Sequence, residues 1–252
     1  MNLFDVTFPT PAENLACDEA LLNWREENGG DEILRFWESP ELFVVVGYSN
    51  KIAAEVNAAR CEARQIPVLR RCSGGGAVLQ GRGCLNYALV LRIAEDSPLA
   101  NISSANKFIM ERNRDAIESQ MRIRRPGSVI KVCGHTDLAL RAGSSSPPAF
   151  LKFSGNSQRR HKRFLLFHGT FLLDFNLPLI GEFLNSPSRQ PEYRAGRSHA
   201  DFLVNLGLPA ADVKLAMQKA WKAASPLKNP PLDRIAKLAH EKYAKREWNW
   251  RV

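Results

Sequence analysis

The chain has no CxxC pair. Its five cysteines, Cys17, Cys61, Cys72, Cys84 and Cys133, are odd in number and loosely spaced. That excludes zinc ribbons and thioredoxin-type redox chemistry, and it fits free, reduced thiols. A run of about 18 apolar residues is also missing, so no membrane span is expected. The start, Met1-Asn2-Leu3-Phe4-Asp5, has no basic stretch ahead of a long apolar one. No secretion signal is read there, and a cytoplasmic location is expected. Internal repeats are absent too, which argues against a solenoid.

What remains is an ordinary globular composition. The 252 residues are 44% hydrophobic and 24% charged, enough for a sizeable core. Lysine and arginine exceed the acidic residues by 35 to 26, a formal charge of +9. Such a surface favours acidic partners: a nucleotide, a nucleic acid, a membrane surface or an acidic protein. The basic run Arg159-Arg160-His161-Lys162-Arg163 carries no interleaved aromatic residue. It reads as a charged hairpin tip, so neither nucleic acid nor membrane is an expected partner.

Periodicity predicts helices over Pro11–Glu27, Asn57–Gln65, Ser103–Gln120, Ala210–Ala224 and Leu232–Tyr243. Strands are predicted at 33–38, 42–46, 67–71, 84–93, 138–140 and 150–153. A further strand pair is read at 163–167 and 170–175, with His168-Gly169 as a tight turn between them. Ser144 to Pro148 reads as a turn or loose loop. Strands do not alternate regularly with helices, which argues against a doubly wound sheet. The expected class is α+β, a single domain over 1–252, whose part from 184 to 252 is irregular and then helical.

Two stretches stand out chemically. In Arg70-Arg71-Cys72-Ser73-Gly74-Gly75-Gly76-Ala77-Val78, three successive glycines allow close approach to main-chain N–H groups, which bind phosphate or carboxylate oxygens. Arginine offers a planar fork of donors for the same oxygens. On a strand Arg70 and Arg71 face opposite ways, so one of them points into a ligand site, and Arg71, next to the loop, is the choice. The stretch is neither GxxxxGK[ST] nor GxGxxG. The second stretch, Lys152-Phe153-Ser154-Gly155-Asn156-Ser157-Gln158, places a lysine on a short strand before a small polar turn. Such a lysine can stabilise charge developing on a carbonyl or phosphoryl oxygen.

Taken together these stretches resemble the RRxSGGGxV and K[IVF]SGxAx motifs of the lipoate–protein ligase A family. Gly134-His135-Thr136-Asp137-Leu138 is similar to its GxNDL element, and His168-Gly169-Thr170-Phe171-Leu172 to its HHGTLL segment. The resemblance implies the fold of biotin and lipoate ligases, related to class II aminoacyl-tRNA synthetases: a mixed, largely antiparallel sheet flanked by helices. It implies activation of lipoic or octanoic acid by ATP and Mg²⁺ to an acyl adenylate. The acyl group then passes to one lysine of a lipoyl domain of a 2-oxoacid dehydrogenase E2 subunit, or of glycine cleavage H protein.

Carried over, Lys152 would be catalytic. Arg70, Arg71, Ser73, Gly74, Gly75, Gly76, Ala77 and Val78 would line the acyl and adenylate site. Asp137, Ser154, Gly155, His168, Gly169 and Thr170 would complete it, with Asp137 the candidate contact for adenine or Mg²⁺. Phe153, Val78 and Tyr87 are candidate walls of an acyl slot. The chain departs from the family's SGGGxVxHDxGN: Gln80-Gly81 replaces His-Asp, Cys84 replaces Asn, and Asn86-Tyr87 follows. Only about 70 residues follow residue 180, too few for the accessory domain of larger ligases. A separate accessory activating protein is therefore an option.

Rival readings are an octanoyl or lipoyl transferase and a non-catalytic binding protein. Transferases of this kind use a cysteine after the motif lysine, and here all five cysteines precede Lys152. The glycine motif of biotin ligases, GRGRxGRxW, is absent.

Overall fold

The computed structural model describes residues 1–143, 149–187 and 189–251, so the turn expected at Ser144–Pro148 lies outside the described residues. Eleven strands are described: β1 (Asn2–Asp5), β2 (Ile33–Trp37), β3 (Phe43–Val46), β4 (Val68–Arg70), β5 (Val78–Gln80), β6 (Cys84–Arg92), β7 (Ile130–Cys133), β8 (Asp137–Ala142), β9 (Ala149–Arg160), β10 (Phe164–Leu172) and β11 (Ser225–Pro226). The helices are α1 (Pro11–Asn28), α2 (Ile52–Glu55), α3 (Ala58–Ala63), α4 (Ile102–Arg124), α5 (Pro178–Phe183), α6 (His199–Phe202), α7 (Ala210–Trp221), α8 (Leu232–Leu238) and α9 (Arg246–Asn249), with a π turn over Ala239–Tyr243. None is long and apolar enough to cross a membrane.

Eight strands form one sheet in the order β11-β1-β2-β6-β10-β9-β8-β7. Its β11-β1-β2 edge is parallel, and every other pairing in it is antiparallel. The remaining three make a small sheet, β4-β3-β5. This is the mixed, largely antiparallel sheet expected from the sequence.

Strand parity decides what each face meets, because successive side chains point to opposite sides. On β6 and β10, Leu85, Leu89, Leu165 and Phe167 pack with Ile109 and Ile117 of α4 and Met217 of α7. The alternate residues Ala88, Val90, Phe164 and Leu166 pack with Cys17 and Leu21 of α1 and Ile235 of α8. Helix α1 starts where T-P-A-E allows: Thr10 caps the backbone of Glu13, Glu13 returns the bond to Thr10, and Pro11 sits in the first turn.

Two expectations fail. His168-Gly169 is not a turn. It lies inside β10, which pairs without a break with β6 from Phe164 to Leu172. Nor do residues 154–158 form a polar turn after Lys152; they continue β9 to Arg160. These polar residues pair with β10, so the tip of the hairpin shrinks to 161–163. The run Arg159–Arg163 is split between the end of β9 and the hairpin tip, where Lys162 and Arg163 are exposed. Arg160 donates to the carbonyls of Leu99 and Ala100, and Arg163 to that of Glu26.

Candidate active site

A cleft of about 820 Å³ is lined by residues of both sheets, with Arg71, Gly75, Gly76, Ala77, Val78, Asp137, Lys152, Gly155, His168, Gly169 and Thr170 among its walls. Most of the residues expected at the site thus meet in one cavity. Arg70, Ser73, Gly74 and Ser154 do not line it. Val78 and Tyr87 reach the cleft as expected for an acyl slot, whereas Phe153 is fully buried against Phe171.

The two arginines separate by parity. Arg70 is wholly buried and donates to the carbonyls of Gly47, Tyr48, Asn50, Asn249 and Arg251. It ties the loop after β3 to the C-terminal segment. Arg71 folds into the glycine turn and donates to the carbonyls of Gly74 and Gly76. Burial draws its guanidinium down to about 10, so it stays cationic at neutral pH. Gly75 has φ +88°, and a Cβ there would stand 2.8 Å from the Arg71 guanidinium. The turn therefore needs glycine at this position on both counts.

A β-bulge aims Lys152. Asp137 pairs with Gly155 and Leu138 with Ser154, but Ala139 pairs with Lys152, so β9 carries an extra residue at Phe153. Strict alternation would send Phe153 into the cleft and Lys152 to the core side. The bulge reverses both. Lys152 then crosses Gly155, where a Cβ would lie 2.9 Å from its Nζ. Its ammonium pairs with Asp137 Oδ1 at 2.8 Å, and the Tyr193 hydroxyl donates to Asp137 Oδ2 at 2.9 Å.

Behind the glycine turn lies a chain of polar side chains. Ser73 Oγ is 2.6 Å from Ser157 Oγ and 2.5 Å from His168 Nε2. His168 Nδ1 is 2.8 Å from Asp18 Oδ2, and the other oxygen of Asp18 pairs with Arg35. Asp18, Arg35 and Ser73 are buried to within a few per cent, and Asp18, His168 and Ser157 line the cleft. Parity explains the meeting: His168 shares the α1 side of β10 with Phe164 and Leu166, and Ser157 is its direct partner on β9.

Gln80, which stands where the resembled pattern has histidine, donates to Thr170 Oγ1, which donates to Asn86, whose amide donates back to Gln80. These three line the cleft as a closed ring, so Asn86 does join the altered segment.

None of the five cysteines is among the described residues lining the cleft, and all five are buried. Burial pushes the thiols of Cys17, Cys72 and Cys84 up to about 12. It raises those of Cys61 and Cys133 as well. At neutral pH the nucleophilic thiolate form is therefore strongly disfavoured.

The chain belongs to the lipoyl protein ligase A/B catalytic domain family, whose model matches residues 10–221. It is similar to the octanoyltransferase LipM of Halalkalibacterium halodurans, 26% identical over 96% of this chain and 95% of that protein. In fold it is similar to a bi-partite lipoate protein ligase from Thermoplasma acidophilum, with TM-score 0.78, 21% identity, and 99% and 95% of the two chains covered. A lipoate-protein ligase A bound with ATP superposes with TM-score 0.75 at 21% identity, over 99% and 98% of the chains.

The sequence reading missed Asp18, Arg35, Ser157 and Tyr193. Asp18 carried a signal. It lies three residues after Leu15 and four before Leu22, inside the buried stripe of α1, and a buried carboxylate requires a partner.

Proposed function

We propose that this chain is an ATP-dependent lipoate–protein ligase, which activates lipoate or octanoate to an acyl adenylate and transfers the acyl group to a lysine of a lipoyl domain. The observation that carries the reading is Lys152, re-aimed by the bulge into the same cleft as the glycine turn, with no cysteine among the described residues of its wall. The fold shared with an ATP-bound ligase supports it.

In the first step a carboxylate oxygen attacks the α-phosphorus of ATP and pyrophosphate leaves. Lys152 stabilises the charge building on the phosphoryl oxygens after exchanging Asp137 for substrate. The N–H groups of the glycine turn, whose Gly74 and Gly76 carbonyls already bind Arg71, face the same task. In the second step the acceptor amine attacks the acyl carbon and AMP leaves. Lys152 is placed to stabilise the oxyanion and the departing phosphate.

Among the described residues no group of three or more His, Cys, Asp and Glu side chains is placed to hold a metal ion. Mg²⁺ would arrive on the ATP phosphates, where one carboxylate suffices to meet it. Asp137 suits this role beside Lys152, and the ion would neutralise phosphate charge there.

The second reading is octanoyl transfer from a carrier protein. Its support is the full-length similarity to an octanoyltransferase. The two readings separate in one experiment. The protein is mixed with apo lipoyl domain and either ATP, Mg²⁺ and lipoate, or an octanoylated carrier protein, and the domain's intact mass is read. A lipoyl mass gain in the first mixture is expected. A gain confined to the second would establish the transferase and return attention to Cys72, Cys84 and Cys133.

A further inference from the structure

The acceptor lysine arrives as an ammonium ion and ends as an amide, so its nitrogen sheds two protons. The second can leave to water once the bond has formed, but the first has to go before attack, to free the electron pair. Lys152 and Arg71 are cations and cannot take that first proton. Asp137 keeps the Tyr193 hydroxyl and is the carboxylate assigned to Mg²⁺. From the geometry we infer that the Asp18–His168 pair receives this proton through the hydroxyls of Ser157 and Ser73. This assignment rests on the proposed reading that the acyl donor is an adenylate, not on this chain's making that adenylate from ATP.

The three hydrogen bonds set a direction. Arg35 keeps Asp18 an acceptor, so the His168 Nδ1 proton points to Asp18 and Nε2 is left as the base. Nε2 then accepts from the Ser73 hydroxyl, whose oxygen accepts from Ser157 at the cleft wall. When the amine attacks, the nitrogen–carbon bond forms and the bond from the acyl carbon to the adenylate oxygen breaks. AMP takes that electron pair. Before that attack the ammonium's first proton has passed to Ser157, that of Ser157 to Ser73, and that of Ser73 to Nε2; the second leaves the nitrogen to water as the amide forms. The resulting imidazolium is stabilised by Asp18 and later releases its proton to water. Of the other titratable or charged groups, Cys17 and Cys72 lie close enough to feel the Asp18 charge, and Arg71, Lys152 and Asp137 line the same cleft.

The test uses the full chain with synthetic lipoyl adenylate, so that the activation step is bypassed. Transfer is timed to apo lipoyl domain and, separately, to hydroxylamine, whose attacking nitrogen is uncharged at neutral pH. His168→Gln keeps a polar partner for Ser73 but cannot carry the proton. It should slow transfer to the lysine about a hundredfold more than transfer to hydroxylamine. Ser157→Ala should show the same selectivity at about tenfold. Equal slowing with both nucleophiles, or no slowing with the lysine, overturns the relay. A silent Ser157→Ala beside a selective His168→Gln overturns the route through Ser157. Wild-type protein that uses the synthetic adenylate but makes none from ATP would remove the ligase reading and leave the relay standing. Protein that cannot use it at all removes both.

Discussion

Replacing Lys152 with alanine should abolish adenylate formation, lowering it by at least about a thousandfold, while the protein stays folded. Removing one donor aimed at developing charge typically lowers a rate by about 10²–10³, and Lys152 also carries a full charge. The side chain is 27% exposed, and its partner Asp137 keeps the Tyr193 hydroxyl, so little stability rests on it. Intact-mass detection of lipoyl adenylate checks the first part and circular dichroism the second. Near-normal adenylate formation by Lys152→Ala would remove Lys152 from the chemistry.

Arg35→Met should have the largest effect on stability. Arg35 is wholly buried on β2, pairs with Asp18, and donates to the carbonyl and side chain of Asn14. Methionine fills most of the volume but strands the Asp18 carboxylate in the core. Breaking a buried pair from one side costs about 3–5 kcal/mol. In a chain of this size that lowers the midpoint of thermal unfolding by roughly 10 °C. The double variant Arg35→Met/Asp18→Leu should regain most of that loss, since an apolar replacement of both partners is often neutral. It should not regain acyl transfer, because His168 has then lost its acceptor. Calorimetry beside a transfer assay separates the two outcomes.

The elements built from apolar periodicity were legible in advance. Helices α1 and α4 and strand β6 fall close to where their spacing puts them. Parity next to the loop sets Arg71 apart from Arg70, and of the two it is Arg71 that lines the cleft. What escaped reading is where polar side chains occupy regular structure. Ser154-Gly155-Asn156-Ser157-Gln158 has a turn's composition, yet it is strand, because its side chains build the cleft wall and a polar network rather than a core. His168-Gly169 misled for the same reason. The bulge at Phe153 leaves no mark in the sequence, since it is fixed by the pairing of two distant strands. The relay of Asp18, Ser73, Ser157 and His168 spans 150 residues between its ends, and only the sheet order brings it together.

The central claim is that this cleft activates its acid with ATP rather than through a thiol. It is tested most directly by lipoate-dependent exchange of labelled pyrophosphate into ATP, with no acceptor present and after treatment of the native protein with iodoacetamide. The buried thiols should be spared and exchange should proceed, because adenylation is reversible and requires no cysteine. Absence of exchange, together with octanoyl transfer from a carrier that alkylation destroys, would contradict the account.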